Sequence, residues 1–289
     1  MKITFLVDNK TETTECKAEW GLSVLIEANG ETILMDLGET GMFAENARKL
    51  GIDLNKVDFA TISHGHSDHS GGAPAFFEVN DHAPVYVHRD AFWESVTMKH
   101  PKVDAEGHVT EGEVFETGIG IPWTEEFKKL NAHRFILTEG TYRIDEHTWL
   151  LGNVPRIEGF SPTEKFYVYI KDDKYTGWAE DMMQHEQTLV VEEEGRLHIF
   201  SGCSHNGIVP ILKHITEKFP GKRISMIVAG MHLYSASPEL RQKVVTEVAN
   251  YHPDLICPVH CTGMNAIVDF KQAFGDKCRI AYAGAVYQV

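Results

Sequence analysis

Three histidines and one aspartate lie within six consecutive residues of this chain. Residues 64–69 read His-Gly-His-Ser-Asp-His, and Ser-Gly-Gly follows at positions 70–72. Imidazole nitrogens and carboxylate oxygens are ligands that suit zinc and its first-row neighbours. In an extended segment, residues two apart project to the same side, so His64 and His66 can bind one ion. Asp68 and His69 point elsewhere and can bind a second ion or orient a water. The spacing predicts a metal site rather than a histidine-rich surface turn.

The segments on either side of this cluster predict how it is positioned. Residues 57–62 are mostly apolar and predict a short buried strand that ends just before the cluster. Gly71 and Gly72 then lead into residues 73–77, where Pro74 suits the first turn of a helix. A strand, a ligand loop and a helix in this order are typical of α/β proteins, whose active groups lie beyond the strand ends.

The rest of the chain predicts further strands and helices from its apolar patterning. Strands are expected at 3–7, 23–28, 31–36, 85–88, 133–138, 147–151, 166–171, 187–192, 197–201, 224–229 and 255–259, and helices at 42–50, 208–219 and 238–251. The polar segment from Thr97 to Glu116 is interpreted as an inserted loop that covers the site as a lid. The apolar run at 279–284 predicts one edge strand, which could pair with a second copy of the chain.

Composition indicates an enzyme of the cytoplasm. A formal net charge of -15 argues against nucleic-acid binding, which normally needs a basic face. No apolar run is long enough to span a membrane, and the first residues resemble a strand rather than a signal peptide. Five cysteines without framework spacing favour a reducing compartment. We therefore expect a small-molecule substrate, no nucleic-acid or membrane partner, and either a monomer or a homo-oligomer.

The cluster at 64–69 resembles the signature of the metallo-β-lactamase superfamily, His-x-His-x-Asp-His. Other landmarks of that superfamily stand in the same order: residues 33–38 end in Asp-Leu-Gly, residues 201–205 stand where Gly-Asp is frequent, and residues 258–260 resemble the last ligand strand. The segments 153–156, 201–208, 230–233 and 260–263 resemble, more narrowly, the subfamily of 7,8-dihydropterin-6-methyl-4-(β-D-ribofuranosyl)aminobenzene-5'-phosphate synthases. The resemblance implies one α/β domain over residues 1–289. Its expected architecture is a four-layer αββα sandwich with the lid region, residues 97–116, inserted into it.

The second half of the chain supplies the remaining candidate ligands. His260 ends a predicted strand, and His205 follows a strand that leads into a tight turn, so both are predicted as metal ligands. Cys203 is the alternative to His205 as the metal ligand of this turn. Superfamily members carry Asp or Cys after the glycine that corresponds to Gly202, and a thiolate favours zinc. Small cysteines in strand-end turns are also commonly buried for packing alone. His185 precedes a predicted strand, and its two alternatives are metal ligand and substrate contact.

Two further residues are assigned roles near the substrate. His232 ends an apolar strand, and three roles are open for it: a core histidine bonded to the backbone, a partner that orients a metal ligand, or a proton donor near the leaving group. Arg156 can hold a phosphate or carboxylate through its planar guanidinium, or it can pair with one of the 42 acidic residues.

The resemblance implies a metal-dependent hydrolase that acts through a metal-bound hydroxide on a small anionic ester, lactone or phosphodiester. One or two zinc ions would lower the pKa of the bound water, with manganese or iron as other candidates, and Asp68 would orient that water or accept its proton. The subfamily implies a different activity, a pterin-condensing transferase that releases diphosphate. A di-iron redox protein is a third hypothesis, but such relatives carry Glu at the position of His66 and a flavin domain.

Overall fold

The computed structural model describes residues 1–160 and 164–289, which form seventeen strands and seven α-helices. The strands are β1 (Lys2–Val7), β2 (Ser23–Ala28), β3 (Glu31–Met35), β4 (Phe59–Thr61), β5 (Val85–His88), β6 (Ser95–Val103), β7 (Val109–Thr117), β8 (Phe135–Thr138), β9 (Thr141–Arg143), β10 (Thr148–Leu151), β11 (Tyr167–Lys171), β12 (Thr176–Glu180), β13 (Thr188–Glu193), β14 (Arg196–Ser201), β15 (Arg223–Gly230), β16 (Leu255–Val259) and β17 (Val286–Gln288). The helices are α1 (Met42–Lys49), α2 (Ser67–Ser70), α3 (Ala73–Val79), α4 (Glu125–Leu130), α5 (Ile208–Lys218), α6 (Pro238–Ala249) and α7 (Met264–Phe274).

Two mixed sheets form the centre of the molecule. The first has the order β17-β1-β2-β3-β4-β5-β8, and the second has the order β16-β15-β14-β13-β10-β9. Strands β3, β4, β5 and β8 run parallel in the first sheet, and β14, β15 and β16 run parallel in the second. Parallel strands present their carboxyl ends at one edge, so each sheet has an edge where loops can carry functional groups.

Three apolar cores separate four layers. Between the sheets, side chains such as Phe5 and Ile26 pack with Phe200 and Val228. A second core lies between the first sheet and helices α1 and α3, and a third lies between the second sheet and helices α5, α6 and α7. The arrangement is the predicted αββα sandwich. Its order follows from the sequence, because each sheet is apolar on both faces and therefore needs a covering layer on each side.

The segment from Thr97 to Glu116, predicted as an inserted loop, is folded instead. Strands β6 and β7 pair as an antiparallel hairpin and join β11 and β12 in a third sheet of order β12-β11-β6-β7. Almost every residue of β7 is exposed, so the strand has no alternation of apolar and polar positions to indicate it. After the hairpin the chain is attached to the histidine cluster, since the Ser67 amide donates to the Ile119 carbonyl at 2.8 Å.

Most predicted boundaries agree with the structure, with two exceptions near the carboxyl end. Helix α7 was not predicted, although its buried residues Ala266, Ile267 and Phe270 have helical spacing. The edge strand expected at 279–284 is wrong in position, because residues 286–288 form β17, which pairs with β1. Among the described residues, no helix combines the length and the apolar character that crossing a bilayer requires.

Candidate metal centre

The predicted ligands converge where the carboxyl ends of the two sheets meet. Residues 64–69 follow β4 of the first sheet. Cys203 and His205 follow β14, His232 follows β15, and His260 follows β16 of the second sheet. Each of these segments is a short turn after a buried strand. Residues far apart in the chain are therefore brought to one position by the packing of the two sheets.

Two groups of donor atoms share one thiol. His64, Cys203 and His205 form the first group, in which all donor atoms lie within 4.8 Å of one another. His69, Cys203 and His260 form the second group by the same measure. All of these side chains are buried. Cys203, which the sequence left as an alternative to His205, is therefore placed together with it, between the two groups.

Hydrogen bonds fix the orientation of the His64 ring. The Ser63 hydroxyl donates to an Asp36 oxygen at 2.8 Å, so its oxygen is left to accept from His64 Nδ1 at 2.9 Å. The proton of a neutral His64 then lies on Nδ1, and Nε2 presents a lone pair. That Nε2 faces His66 Nδ1 and His205 Nε2, each at 3.2 Å. The ring thus directs an unprotonated nitrogen into the cluster.

The rings of the second group are held in a similar way. His69 Nδ1 lies 2.6 Å from an Asp36 oxygen, which places its Nε2 3.1 Å from the Cys203 sulfur. His260 Nδ1 lies 2.7 Å from the Asn9 side-chain oxygen, and its Nε2 lies 3.1 Å from an Asp68 oxygen. Such outer partners orient metal-ligating histidines in known metal sites.

Burial keeps most of these imidazoles neutral. It lowers the pKa of His66 to about 4, and it lowers the pKa values of His64 and His205 well below their ordinary value, with neighbouring imidazoles adding to the effect. His69 differs, because the carboxylates of Asp68 and Asp36 outweigh burial and raise its pKa to about 9. A metal ion would have to displace that proton.

Asp68 carries a negative charge against two imidazoles. Burial alone would raise its pKa, but His69 and His260 outweigh burial and hold the pKa of this carboxyl well below its ordinary range. One carboxylate oxygen lies 3.8 Å from His69 Nε2. Asp68 also forms a further group of mutually close donors with His64 and His69. A carboxylate in this position can bind a cation or accept a proton from a water.

His66 lies in the cluster but is not within the closely spaced donor groups. Its Nε2 is buried and has no hydrogen-bond partner among the described residues. Its ring packs against Phe166, with 4.6 Å between the ring centres. A buried neutral nitrogen without a partner is costly unless something binds to it. A zinc site needs donors of this kind, and the cluster offers this unpartnered nitrogen beside the other imidazoles and the thiol.

His185 does not direct a free nitrogen into the cluster. Its Nδ1 accepts from the Gly65 amide at 3.1 Å, and its Nε2 lies 3.1 Å from an Asp181 oxygen. Because both ring nitrogens have protein partners, a ligand role would break two hydrogen bonds. The ring is also buried, which leaves little surface for a substrate. The structure places His185 behind the histidine loop, as a support for Gly65.

The other two predicted substrate residues lie at different places. His232 lines a cleft that opens above the two donor groups. Its Nδ1 lies 3.5 Å from a Glu164 oxygen, and that oxygen also accepts from the Tyr234 hydroxyl. Arg156 lies outside that cleft, 3.9 Å from a Glu180 oxygen, and it lines two neighbouring cavities. The ion pair proposed as the alternative for Arg156 is therefore the contact found.

Several residues at the centre have a left-handed backbone. Asp36, Ser204, His232 and His260 all have positive φ, between 47° and 58°. Such conformations cost non-glycine residues on the order of 1–3 kcal/mol each and persist only when surrounding contacts impose them. Residues with such strained backbones cluster at functional sites.

Sequence reasoning missed the residues that support the ligands. Asp36 was noted only as part of an Asp-x-Gly turn, and Ser63 and Asn9 were not considered. Glu186 was likewise not assigned such a role, and it is buried and accepts from the amides of His205 and Asn206 at 2.5 and 2.9 Å. No local signal identifies such partners, because each depends on a contact across the fold.

A cleft of about 790 Å³ opens above the two donor groups. Three aromatic side chains, Trp20, Phe166 and Tyr234, form part of its wall, and strands β6 and β7 contribute another part. Four glutamates also line it, at positions 19, 39, 116 and 164, whereas its described lining contains no Lys or Arg. The described part of the lining therefore offers no lysine or arginine with which to hold an anion.

Comparison with known proteins identifies the architecture. Residues 21–147 match the family model of the metallo-beta-lactamase superfamily. The chain has a metallo-β-lactamase fold. The matched segment includes the His-x-His-x-Asp-His cluster and strands β2 to β9. Metallo-β-lactamase folds bind divalent metal ions, and this chain brings histidine, cysteine and aspartate donors to the expected place. The match to this family model, together with the similarity to a metal-dependent hydrolase, indicates that the protein is an enzyme.

Several similar proteins align with nearly the whole length of this chain. A protein of Methanocaldococcus jannaschii named 7,8-dihydropterin-6-methyl-4-(beta-D-ribofuranosyl)-aminobenzene-5'-phosphate synthase is 26% identical over 276 residues, covering 93% of this chain and 90% of the relative. An uncharacterised protein of the same organism is 29% identical over 277 residues, covering 93% and 94%. The crystal structure of Tm1679, described as a metal-dependent hydrolase of the beta-lactamase superfamily, is 29% identical with a TM-score of 0.78, covering 100% and 99%.

Proposed function

We propose that this metallo-β-lactamase-fold protein is a zinc-dependent hydrolase of a small ester, lactone or phosphodiester. The observation that carries the proposal is the pair of donor groups that share the Cys203 sulfur at the floor of the cleft. Two positions with a common ligand suit a dinuclear site, which can activate a water and bind the oxygen of the scissile bond. Tm1679, named as a metal-dependent hydrolase, supports the same assignment by its similarity.

The residues divide naturally between two metal positions. His64 and His205, with His66 beside them, would hold one ion, and His69 and His260 would hold the other, with the Asp68 carboxylate next to them. Cys203 would bind both. When bound, divalent ions lower the pKa of a coordinated water and stabilise charge that develops on the oxygen under attack. Zinc is favoured over manganese because one donor is a thiolate.

Asp68 acts as the acceptor of the water's proton. Its carboxylate is ionised at neutral pH, since His69 and His260 hold its pKa far below 7. It also lines the cleft, so a water above the donor groups can reach it. One of its carboxylate oxygens lies 3.1 Å from His260 Nε2, beside the second donor group.

His232 stabilises the departing group as a hydrogen-bond donor. Burial lowers its pKa to about 3, so the ring is neutral at pH 7 and cannot serve as an imidazolium acid. A neutral imidazole still has one N–H to offer. Glu164 and Tyr234 lie beside the ring and limit its orientation. This role replaces the proton donation that was one of the roles left open by the sequence.

The lining of the cleft favours the hydrolase over the pterin-condensing transferase. The relative named as a synthase is similar at 26% identity, which supports the transferase as the second candidate. A transferase that releases diphosphate would benefit from arginines or lysines around the leaving group, and the described lining provides none. An anionic substrate group must then be neutralised by the bound ions themselves.

Metal content per chain tests the proposal directly. Protein purified without chelator is expected to contain two zinc equivalents, and His205→Ala is expected to lose one of them. Cys203→Ala should weaken both positions, whereas Cys278→Ala, a buried thiol outside the donor groups, serves as the matched control. Turnover of ester, lactone and phosphodiester substrates should follow the zinc content. Iron as the native metal, or a metal-free protein with full turnover, would contradict the zinc hydrolase.

A further inference from the structure

A second cysteine faces the cleft beside Cys203. The donor atoms of Cys203, His232 and Cys261 lie within 4.8 Å of one another, and all three side chains are buried and line the cleft. The Cys261 sulfur lies 3.7 Å from the Cys203 carbonyl oxygen. Neither of the two donor groups assigned above includes Cys261.

The fold provides space for this pair of thiols at a glycine. Cys203 follows β14 and Cys261 follows β16, so β15 lies between them in the sheet. At the end of β15, a Cβ on Gly230 would lie 2.9 Å from the Cys261 sulfur and 2.0 Å from the Gly202 carbonyl oxygen. Any larger residue would therefore displace one of the two turns. The absence of a side chain at position 230 lets both cysteines approach across the intervening strand.

The three donors form a chemically distinct set. Two sulfurs and one imidazole nitrogen favour soft ions, whereas each of the two donor groups described above offers one sulfur and two imidazole nitrogens. His232 Nδ1 is buried and has no hydrogen bond among the described residues. The remaining cysteines, Cys16, Cys257 and Cys278, are free thiols that do not line the cleft. Among the described residues, two sulfurs beside an imidazole are thus specific to this position.

We propose that Cys203, His232 and Cys261 form a further metal position that binds a thiophilic divalent ion such as zinc or cadmium. The position lies beside the proposed dinuclear centre and shares Cys203 with it. An ion held there would withdraw Cys203 and His232 from the roles proposed above, and only this consequence rests on the proposed function. Binding itself depends on the three donors alone.

Cadmium titration tests the position without measuring activity. Cadmium is added to the full-length metal-free protein, and thiolate-to-cadmium absorption in the near ultraviolet is recorded together with bound cadmium by elemental analysis. Cys261→Ser should lose the absorption that Cys261 contributes and bind cadmium more weakly, while retaining the absorption from Cys203. Cys278→Ser, which removes a buried thiol outside the cleft, should titrate like the wild type. Identical absorption and bound cadmium in Cys261→Ser and wild type would overturn the proposal.

A second variant covers the case in which Cys261→Ser does not fold, as judged by circular dichroism. His232→Gln leaves both thiols in place and removes only the imidazole, so it should weaken the same cadmium equivalent. Unchanged cadmium affinity in His232→Gln would equally refute the site. The result is separable from the proposed hydrolase, because a protein with no turnover would still show the Cys261-dependent absorption, and an active hydrolase could lack it.

Discussion

Each imidazole of the candidate centre depends on a partner on the far side of its ring. Asp36 is the most connected of these partners, because its two oxygens accept from the Ser63 amide, the Ser63 hydroxyl and His69 Nδ1. Through Ser63 it also fixes the proton of His64. One buried carboxylate therefore sets the orientation of a ring in each donor group, although it touches neither metal position.

Replacing Asp36 tests this indirect role. Asp36→Asn keeps the shape of the side chain but removes the charge and turns one acceptor into a donor. We expect metal affinity to fall about 10–100-fold, as is typical for outer partners of ligating histidines. Competition with a chromophoric chelator measures the change. Asp58→Asn, at an exposed carboxylate that accepts from the Thr32 amide, is the control and should bind metal normally. Unchanged metal affinity in Asp36→Asn would mean that the His64 and His69 rings keep their orientation without the Asp36 carboxylate.

Asp68 is the residue whose loss should separate chemistry from binding. Asp68→Ala removes the proton acceptor while leaving His64, Cys203 and His205 as a complete donor group. We expect the turnover number to fall about 10²–10⁴-fold, the usual contribution of a general base, with at least one metal equivalent retained. Steady-state kinetics and elemental analysis on the same preparation measure both quantities. Glu39→Gln, which changes another acid of the cleft, is the comparison, and normal turnover in Asp68→Ala would refute the assigned role.

Among the elements, β14 contains a buried histidine that lies away from the cleft. His198 lies in this strand with both ring nitrogens buried and unpartnered among the described residues. Burial lowers its pKa to about 4 from the ordinary 6.5. Between these two values the unfolded chain binds a proton that the folded chain does not bind. Acidification from pH 6.5 to pH 4 therefore lowers the free energy of unfolding. Above pH 6.5 this histidine no longer reduces it.

His198→Leu should remove this dependence on pH. For one group the stability loss is about 1.4 kcal/mol per pH unit, or about 2 kcal/mol between pH 6.5 and pH 5. Urea unfolding at pH 7 and pH 5 gives the loss for wild type and variant, and the wild type should lose about 2 kcal/mol more. His82→Gln, at an exposed histidine, should behave like the wild type. Equal losses in wild type and His198→Leu would contradict a neutral buried ring.

Periodicity predicted the elements that pack against a core and failed for those that do not. Strands such as β1 and β15 are apolar along most of their length, and α5 has a clear buried face, so each was predicted near its observed bounds. The hairpin of β6 and β7 was missed because its strands are polar and largely exposed. Its pairing is fixed by backbone hydrogen bonds and by its attachment at Ile119, which no local pattern encodes.

The sequence predicted most donor residues of the candidate centre. It did not predict how those donors are grouped in space. Spacing alone identified residues 64–69, and strand ends identified His205 and His260. Whether Cys203 competes with His205 or joins it depends on how two sheets meet, and the structure places both in one group. His185 was ambiguous for the same reason, since its partners Gly65 and Asp181 come from different elements. Contacts between distant segments decide these roles.

At the scale of the whole molecule, the donor groups connect the two sheets. His64 and His69 belong to the first sheet, and Cys203, His205 and His260 belong to the second. A metal ion held by such ligands binds the folded chain and not the unfolded one. Its binding free energy then adds to the stability of the sandwich, because unfolding separates the ligands.

Chelation should therefore weaken the entire fold rather than one loop. With free metal at 100 times its dissociation constant, binding stabilises the folded state by about 2.7 kcal/mol per ion, and removal with a strong chelator should lower the unfolding free energy by at least this amount. Guanidinium unfolding with and without chelator, followed by circular dichroism, measures the difference. His205→Ala, which breaks the first donor group, should lose less on chelation than the wild type, because it has less bound metal to remove. Equal stability of metal-loaded and metal-free wild type would show that apolar packing alone holds the two sheets together, and that the donors contribute to chemistry without contributing to the fold.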